Sequence, residues 1–423
     1  MQSKNPTLTA PVSNEEEKPV SPGAPQAPAL PAHFTWRRIV RFAFVVSLIL
    51  LSVNALICAT WSHFFDVPGW VAWQALPGAL AIAFIPTTML RFRSAHPALK
   101  VIYALLSSWL GALNFALFAA IACWVAAGMA WLIGWPVPRF QIAGLLFGLA
   151  FLATAYGLIN ARRIRVRKIT VQLPHLPEAW RGRTATLITD LHLGPLNGAK
   201  FLRRVIDRLR VFQPDAVFIS GDMFDGPTQN LDNLVAPWRE FTSLHGIYFV
   251  TGNHDEFAER SLYLDPVKRV GIHVLDNAKL SIAGLQLVGI HDSEAEDPDK
   301  LRSILREVRI DRQCASVLLA HRPINLAIAE EEGISLQLSG HTHNGQNWPW
   351  NLLVARIYRG FGYGLNRLRT LQVYTSSGVG TWGPPLRVGT QSEIVLIRFE
   401  DQPESQRPKG SDHTFVTFYR KTE

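Results

Sequence analysis

Two periodicities divide the chain. From about residue 34 to 161, apolar residues run with few interruptions. Four stretches, about 40–62, 69–90, 101–134 and 140–160, are each long enough to cross a hydrocarbon core of about 30 Å. The third is overlong. Gly111, Asn114 and Gly128 mark it as a kinked or tilted helix, and a tight hairpin of two short spans is the alternative. From 162 to about 400 the pattern is that of a folded domain. Residues 164–173 alternate as a strand, 184–189 form a short apolar strand, and 198–212 place Leu202, Val205, Ile206 and Leu209 at helical spacing. Further strands are predicted at 216–220, 247–250, 278–283, 285–290, 315–320, 335–339, 371–376 and 392–398, with a helix over 229–244. Strand and helix alternate first, and then strands dominate. That order predicts an α/β domain of two packed sheets flanked by helices rather than one doubly wound sheet. Residues 1–33, rich in Pro, Ala, Ser and Glu, read as a disordered tail, and 401–423 as a polar C-terminal tail.

The distribution of charge gives these spans a direction. The net charge is +9 over 423 residues, and much of the excess flanks the apolar runs. Arg37, Arg38 and Arg41 precede the first run, Arg91, Arg93 and Lys100 follow the second, and Arg162, Arg163, Arg165, Arg167 and Lys168 follow the fourth. The loop after the first run carries no Lys or Arg, and the loop after the third offers only Arg139. This alternation predicts a multi-pass membrane protein with both ends and the folded domain in the cytoplasm. Trp36-Arg37-Arg38 resembles the start of an export signal, but no small-residue cleavage site follows, so the first helix is read as retained. Nucleic acid is disfavoured as a partner, because the basic clusters lack the interleaved aromatics of a stacking surface. The three cysteines form no CxxC pair, which removes a disulfide framework and a zinc ribbon.

The chemistry lies at strand ends. Five apolar strands each run into a short turn bearing Asp, Asn or His: Asp190-Leu191-His192, Gly221-Asp222-Met223-Phe224-Asp225, Gly252-Asn253-His254-Asp255, His321, and Gly340-His341-Thr342-His343. Each turn alone has a plain structural reading, as a cap or a hydrogen-bonded histidine. Five in a row, at the carboxyl ends where α/β sheets assemble sites, point to one constellation. The donors are carboxylate, imidazole and one amide oxygen, which suits Mn, Fe or Zn and excludes a thiolate site. Asp222 has two oxygens and could bridge two cations. His291-Asp292 ends another strand-like run and reads as a structural turn, with a place in the substrate cleft as the alternative. The aromatic stretch 348–363 reads equally as a membrane-docking loop or an ordinary packed loop.

Taken together, the five blocks resemble the signature of the calcineurin-like metallophosphoesterases, over about 165–400. The resemblance implies a four-layer α/β/β/α metallophosphoesterase sandwich, here preceded by a four-helix transmembrane region. It implies two divalent metal ions, manganese first and iron or zinc as alternatives. Asp190, His192 and His343 would hold one, and Asn253, His321 and His341 the other, with Asp222 between them. By the same resemblance His254 is the catalytic acid, and Asp225 and Asp255 orient the imidazoles. The phrase from Gly340 to Gln346, with Ser377-Gly378-Val379-Gly380-Thr381, is similar to one branch of the family. That branch holds bacterial membrane-tethered phosphodiesterases and relatives that cleave the pyrophosphate of UDP-diacylglucosamine. Asn344 and Gln391-Ser392-Glu393 depart from its usual Gly and Pro-Pro-Glu, which bears on substrate rather than on metal binding. The expected function is hydrolysis of a phosphodiester or pyrophosphate, with a lipid-linked phosphate as the substrate class and the bilayer as a partner. A non-catalytic membrane sensor or assembly protein, a nuclease and a protein phosphatase are the alternatives.

Overall fold

The computed structural model describes residues 36–67, 70–94, 96–136, 138–226, 230–256 and 259–403. The tail read at 1–33 and the chain beyond 403 lie outside them. Four helices come first: α1 (Trp36–Phe65), α2 (Trp70–Arg93), α3 (Pro97–Leu132) and α4 (Arg139–Asn160), all long and apolar enough to cross a membrane. The third is one unbroken helix of 36 residues, so the hairpin alternative falls. Neither Gly111 nor Gly128 breaks it. At Gly111 the missing side chain admits Pro384 and Leu386 of the following domain.

That domain contains two six-stranded sheets. Its strands are β1 (Ile164–Leu173), β2 (Thr184–Ile188), β3 (Ala216–Ser220), β4 (Ile247–Val250), β5 (His273–Val274), β6 (Ala278–Ile282), β7 (Leu285–Gly289), β8 (Ser316–Leu319), β9 (Leu336–Ser339), β10 (Gly364–Leu368), β11 (Leu371–Thr375) and β12 (Ser392–Asp401). The first sheet runs β1-β12-β2-β3-β4-β5 and the second β10-β11-β9-β8-β7-β6. The central strands of both pair in parallel, and β12 enters the first sheet antiparallel to β2.

Period-two alternation sends each strand's side chains into two different cores. In β3, Ala216 and Phe218 face the other sheet, where they meet Leu287, Val317, Leu338 and Tyr374. Val217 and Ile219 face outward onto Leu202, Val205, Ile206 and Leu209 of α5 (Ala199–Phe212) and onto Val267 of α7 (Arg260–Arg269). In β8, Val317 and Leu319 face inward, and Leu318 meets Leu301 and Leu305 of α9 (Pro298–Glu307) and Ala329 of α10 (Leu326–Glu331). The result is the four-layer α/β/β/α sandwich.

The helix expected over 229–244 is absent. A short helix, α6 (Leu231–Val235), gives way to a 3-10 turn, Ala236–Glu240, because Pro237 cannot supply the amide that an α-helical ladder needs. Two strands escaped the sequence reading: β5 has only two residues, and β10 is broken by charge and Asn366.

Candidate metal centre and its surroundings

The five turns meet at the carboxyl ends of β2, β3, β4, β8 and β9. Backbone bonds continue beyond the strands to hold the first two turns together. Asp190 and His192 donate their amides to the carbonyls of Gly221 and Asp222, both at 3.1 Å, and Asp225 donates to Leu193 at 3.0 Å. Asp190, His192, Asp222, His341 and His343 all adopt positive φ, between 46° and 69°. A left-handed backbone costs a non-glycine residue about 1–2 kcal/mol. Five such residues in one site is local strain spent on aiming side chains inward. Gly340 has the complementary role: a Cβ there would strike the Thr189 hydroxyl and the Asp190 carboxylate.

Among the described residues, two donor groups share no member, Asp190 with His192 and His343, and Asp222 with His321 and His341, and a third joins His192 to Asp225 and His254; within each, the donor atoms lie within 4.8 Å of one another. In the first, Nε2 of His192 and Nε2 of His343 face each other at 3.0 Å, with Asp190 Oδ1 at 3.9 and 3.3 Å from them. Asp222 lies between the groups. Its Oδ2 is 3.2 Å from His321 Nε2 and 3.7 Å from His192 Nε2, and its Oδ1 accepts the His254 amide at 2.9 Å.

The tautomers expose lone pairs to this centre. His321 Nδ1 donates to the Ser220 carbonyl at 2.8 Å, which leaves Nε2 facing Asp222. His192 Nδ1 meets Asp225 Oδ1 at 3.2 Å, which leaves its Nε2 facing His343. Lone pairs set against carboxylates repel one another unless a proton or a cation lies between. Burial opposes charge on His321, but Asp222 and Asp190 outweigh it and push the ring up to about 10. Asp222 is driven well below the carboxylate range: His321 overcomes the effect of burial. Burial and the neighbouring His321 lower His341 to about 3, and burial with His192 and Arg387 holds His343 well below its ordinary value. Asp190 is raised by burial and by Asp222, against the pull of His321.

Asn253 tests whether metal ions fit. Its Oδ1 is buried and has no hydrogen-bond partner among the described residues. An orphaned amide oxygen of this kind is costly unless something positive meets it. A hard or borderline cation would satisfy it; the next residue, His254, gives its amide to Asp222, and carboxylate, imidazole and amide oxygen are the set such a cation takes.

His254 stands at the edge of this cage. Its ring lies edge-on to His192 at 4.9 Å, its Nδ1 is 3.5 Å from Asp225 Oδ1, and Trp382 is 6.1 Å away. Burial lowers its pKa against the pull of Asp222. Asp225 therefore faces two imidazoles. Asp255 does something else. Its carboxylate accepts the amides of Gly252, Phe224 and Met223 at 2.8, 2.9 and 3.3 Å, so it ties the second turn to the third instead of orienting a ring. Burial and Asp222 raise it to about 7 against these amides.

His291 is fully buried. Its Nδ1 lies 2.8 Å from the Thr251 hydroxyl and its Nε2 2.9 Å from Asp276, so the structural reading holds and a place in the cleft does not. Asp292 pairs with Arg322 at 2.8 Å.

Sequence reading missed Thr189, whose hydroxyl donates to Asp190 Oδ2 at 2.7 Å. It also missed Arg387, which is fully buried. The guanidinium donates to the carbonyls of Ser377 and Gly380 at 2.6 and 2.7 Å and lies 3.2 Å from His343 Nδ1. Burial lowers it to about 10. Glu393 completes this support, accepting from Tyr363, Tyr374, Ser376 and the Ser377 amide at 3.0–3.2 Å. The only sequence signal for Arg387 is a charge inside the apolar, proline-rich run 384–388, which does not by itself reveal burial.

The sequence profile of the Calcineurin-like phosphoesterase family matches residues 184–345. An uncharacterized metallophosphoesterase of Campylobacter jejuni is 31% identical over 269 residues, covering 61% of this chain and 71% of that protein. A Danio rerio protein named "Transmembrane protein with metallophosphoesterase domain" is 33% identical over 272 residues, covering 59% of this chain and 61% of its own. An uncharacterized metallophosphoesterase of Helicobacter pylori strain J99 is 32% identical over 219 residues, covering 50% and 58%. The chain thus spans about three fifths of the length of the last two.

A sandwich that brings carboxylates, imidazoles and an unsatisfied amide oxygen to one edge is built for metal-dependent hydrolysis of phosphate esters. The chain is such a phosphoesterase, and it belongs to the calcineurin-like metallophosphoesterase family.

Proposed function

We propose that the chain is a membrane-anchored phosphohydrolase that uses two divalent cations to cleave a phosphodiester or pyrophosphate bond of a lipid-linked substrate. Asp190, His192 and His343 would hold one cation, Asn253, His321 and His341 the other, and Asp222 both. When bound, such a pair supplies an activated water at neutral pH and neutralises charge on the phosphoryl oxygens. Manganese is the first candidate, with iron or zinc as alternatives. The observation that carries this reading is the position of Asp222, whose Oδ2 faces a histidine of each donor group, together with the orphaned oxygen of Asn253, whose neighbour His254 gives its amide to Asp222.

The remaining steps belong to the protein. His254 delivers a proton to the leaving oxygen, or steadies charge on it, at the rim of the cage. Asp225 faces both His254 and His192, and so fixes the acid relative to the ligands. Burial keeps water away from the ligand carboxylates, which strengthens every charge interaction inside. The lipid-linked substrate class rests on the anchor: four helices hold the site close to a bilayer, where a soluble substrate gains nothing from them.

Stripping the purified protein of metal should abolish hydrolysis of a generic aryl phosphodiester, and manganese should restore it. Undiminished turnover by the stripped protein would overturn the reading.

A further inference from the structure

Immediately after the last histidine ligands the chain forms a short helix, α11 (Trp350–Ile357), which has no buried residue. Trp348, Trp350, Leu352, Leu353 and Ile357 are all 44–61% exposed, and Trp350, Leu353 and Ile357 recur at helical spacing. Exposed apolar patches of this kind mark an interaction surface. Arg356 and Arg359 beside them are also exposed.

The helices fix the depth of this element. A Cβ at Gly111 of α3 and one at Gly157 of α4 would lie 3.4 and 2.7 Å from the Leu386 side chain, so the two glycines stand at one level. Asn160 of α4, one turn above, donates to the carbonyls of Arg387 and Thr390 at 3.0 and 2.9 Å. Arg162 and Arg163 follow directly, so this level is the edge of the apolar span. Trp350 does not lie above that edge. Its Nε1 donates to Asn114 Oδ1 at 2.8 Å, and the rings of Trp348 and Trp350 lie 6.4 and 6.2 Å from Phe118. At a rise of about 1.5 Å per residue, Asn114 and Phe118 are roughly 5 and 10 Å further into the span than Gly111. Interfacial amphipathic helices settle at about this depth, with arginine left at the phosphates and tryptophan at the boundary.

We infer that α11, with Trp348 and Trp350, lies in the interfacial layer of the leaflet, so that the metal centre opens at headgroup level. The end of α11 leads straight to the site: the Tyr358 ring lies 6.5 Å from that of His341. Trp382, 56% exposed, stands beside His254. A phosphate linked to an acyl chain could then reach the cage without leaving the bilayer. The inference rests on α3 and α4 spanning the membrane.

Nitroxide labels test both statements separately. Leu353→Cys, Ile357→Cys, Leu149→Cys and Leu244→Cys would each be made in a full-length Cys58→Ala, Cys123→Ala, Cys314→Ala background and placed in vesicles of phosphatidylcholine and phosphatidylglycerol. Leu149 is an exposed apolar residue of α4, and Leu244 precedes β4 at the edge of the sheet opposite the site. Labels at 353 and 357 should collide with oxygen at least threefold more, relative to a water-soluble nickel chelate, than the label at 244, as should the label at 149. A label at 149 that behaves like the label at 244 would remove the membrane-spanning reading. Labels at 353 and 357 that follow 244, while 149 remains lipid-exposed, would overturn the inference for α11 alone. Hydrolysis of a soluble aryl phosphodiester by each labelled protein reports folding, and position 357 serves if position 353 does not tolerate the label.

Discussion

At the scale of the residue, the site is a balance between burial and charge. His321 is fully buried, yet Asp222 and Asp190 hold a proton on it up to about pH 10 in the metal-free protein, whereas His341 and His343 stay neutral. A cation needs the neutral ring, so binding must expel the His321 proton. The sign follows directly. Below about pH 10 the free site is protonated, and apparent metal affinity should rise about tenfold per pH unit between pH 6 and 9. Titration of the stripped protein with manganese at several pH values checks this, and a flat profile would count against His321 as a ligand. His254 belongs to another step. His254→Gln should retain its metal and slow hydrolysis about a hundredfold for an alkyl leaving group, but far less for a nitrophenyl one. Equal losses on both substrates would argue against its role as the acid. Asp255 shows the limit of reading residues singly. The family resemblance makes it a partner for a ring, but its bonds go to the amides of two turns.

At the scale of the element, the strands were legible because parallel strands buried on both faces are short apolar runs that end in turns. The helix expected over 229–244 stops short because Pro237 withholds the amide that an α-helical ladder needs. The two-residue β5 was missed because two residues carry no periodicity. Helix α4 carries a testable feature at its end. A Cβ on Gly157 would lie 2.7 Å from Leu386 and 2.8 Å from Val388, whereas Gly148 in the same helix faces open space. Gly157→Val should therefore destabilise the solubilised protein by about 1–3 kcal/mol, whereas Gly148→Val should not. Thermal unfolding in one detergent compares them, and equal midpoints would mean that the seam between helix and domain carries no load.

At the scale of the whole molecule, the helices and the catalytic domain share one seam. Arg387 donates its amide to Gly157 at the end of α4 at 3.0 Å, and its guanidinium lies against His343. A single residue thus touches both the membrane region and a candidate metal ligand. The clustering of Lys and Arg at alternate span ends predicts a cytoplasmic domain. A protease added outside should cut the domain in inside-out vesicles and spare it in right-side-out ones, and the reverse pattern would invert the assignment.

The letters alone determined the four apolar runs, the α/β class and the five strand-end turns that bear Asp, Asn and His, because hydrophobic periodicity and residue chemistry are local properties; the choice of seven candidate ligands among them came from the family resemblance. Only the tertiary structure decided that Asp222 stands between two donor groups and that Asn253 holds an unpaired oxygen. It alone put a buried Arg387 behind His343 and set Trp350 against Asn114. These are relations between residues far apart in the chain, fixed by where two sheets and four helices pack, and no window of sequence contains both partners.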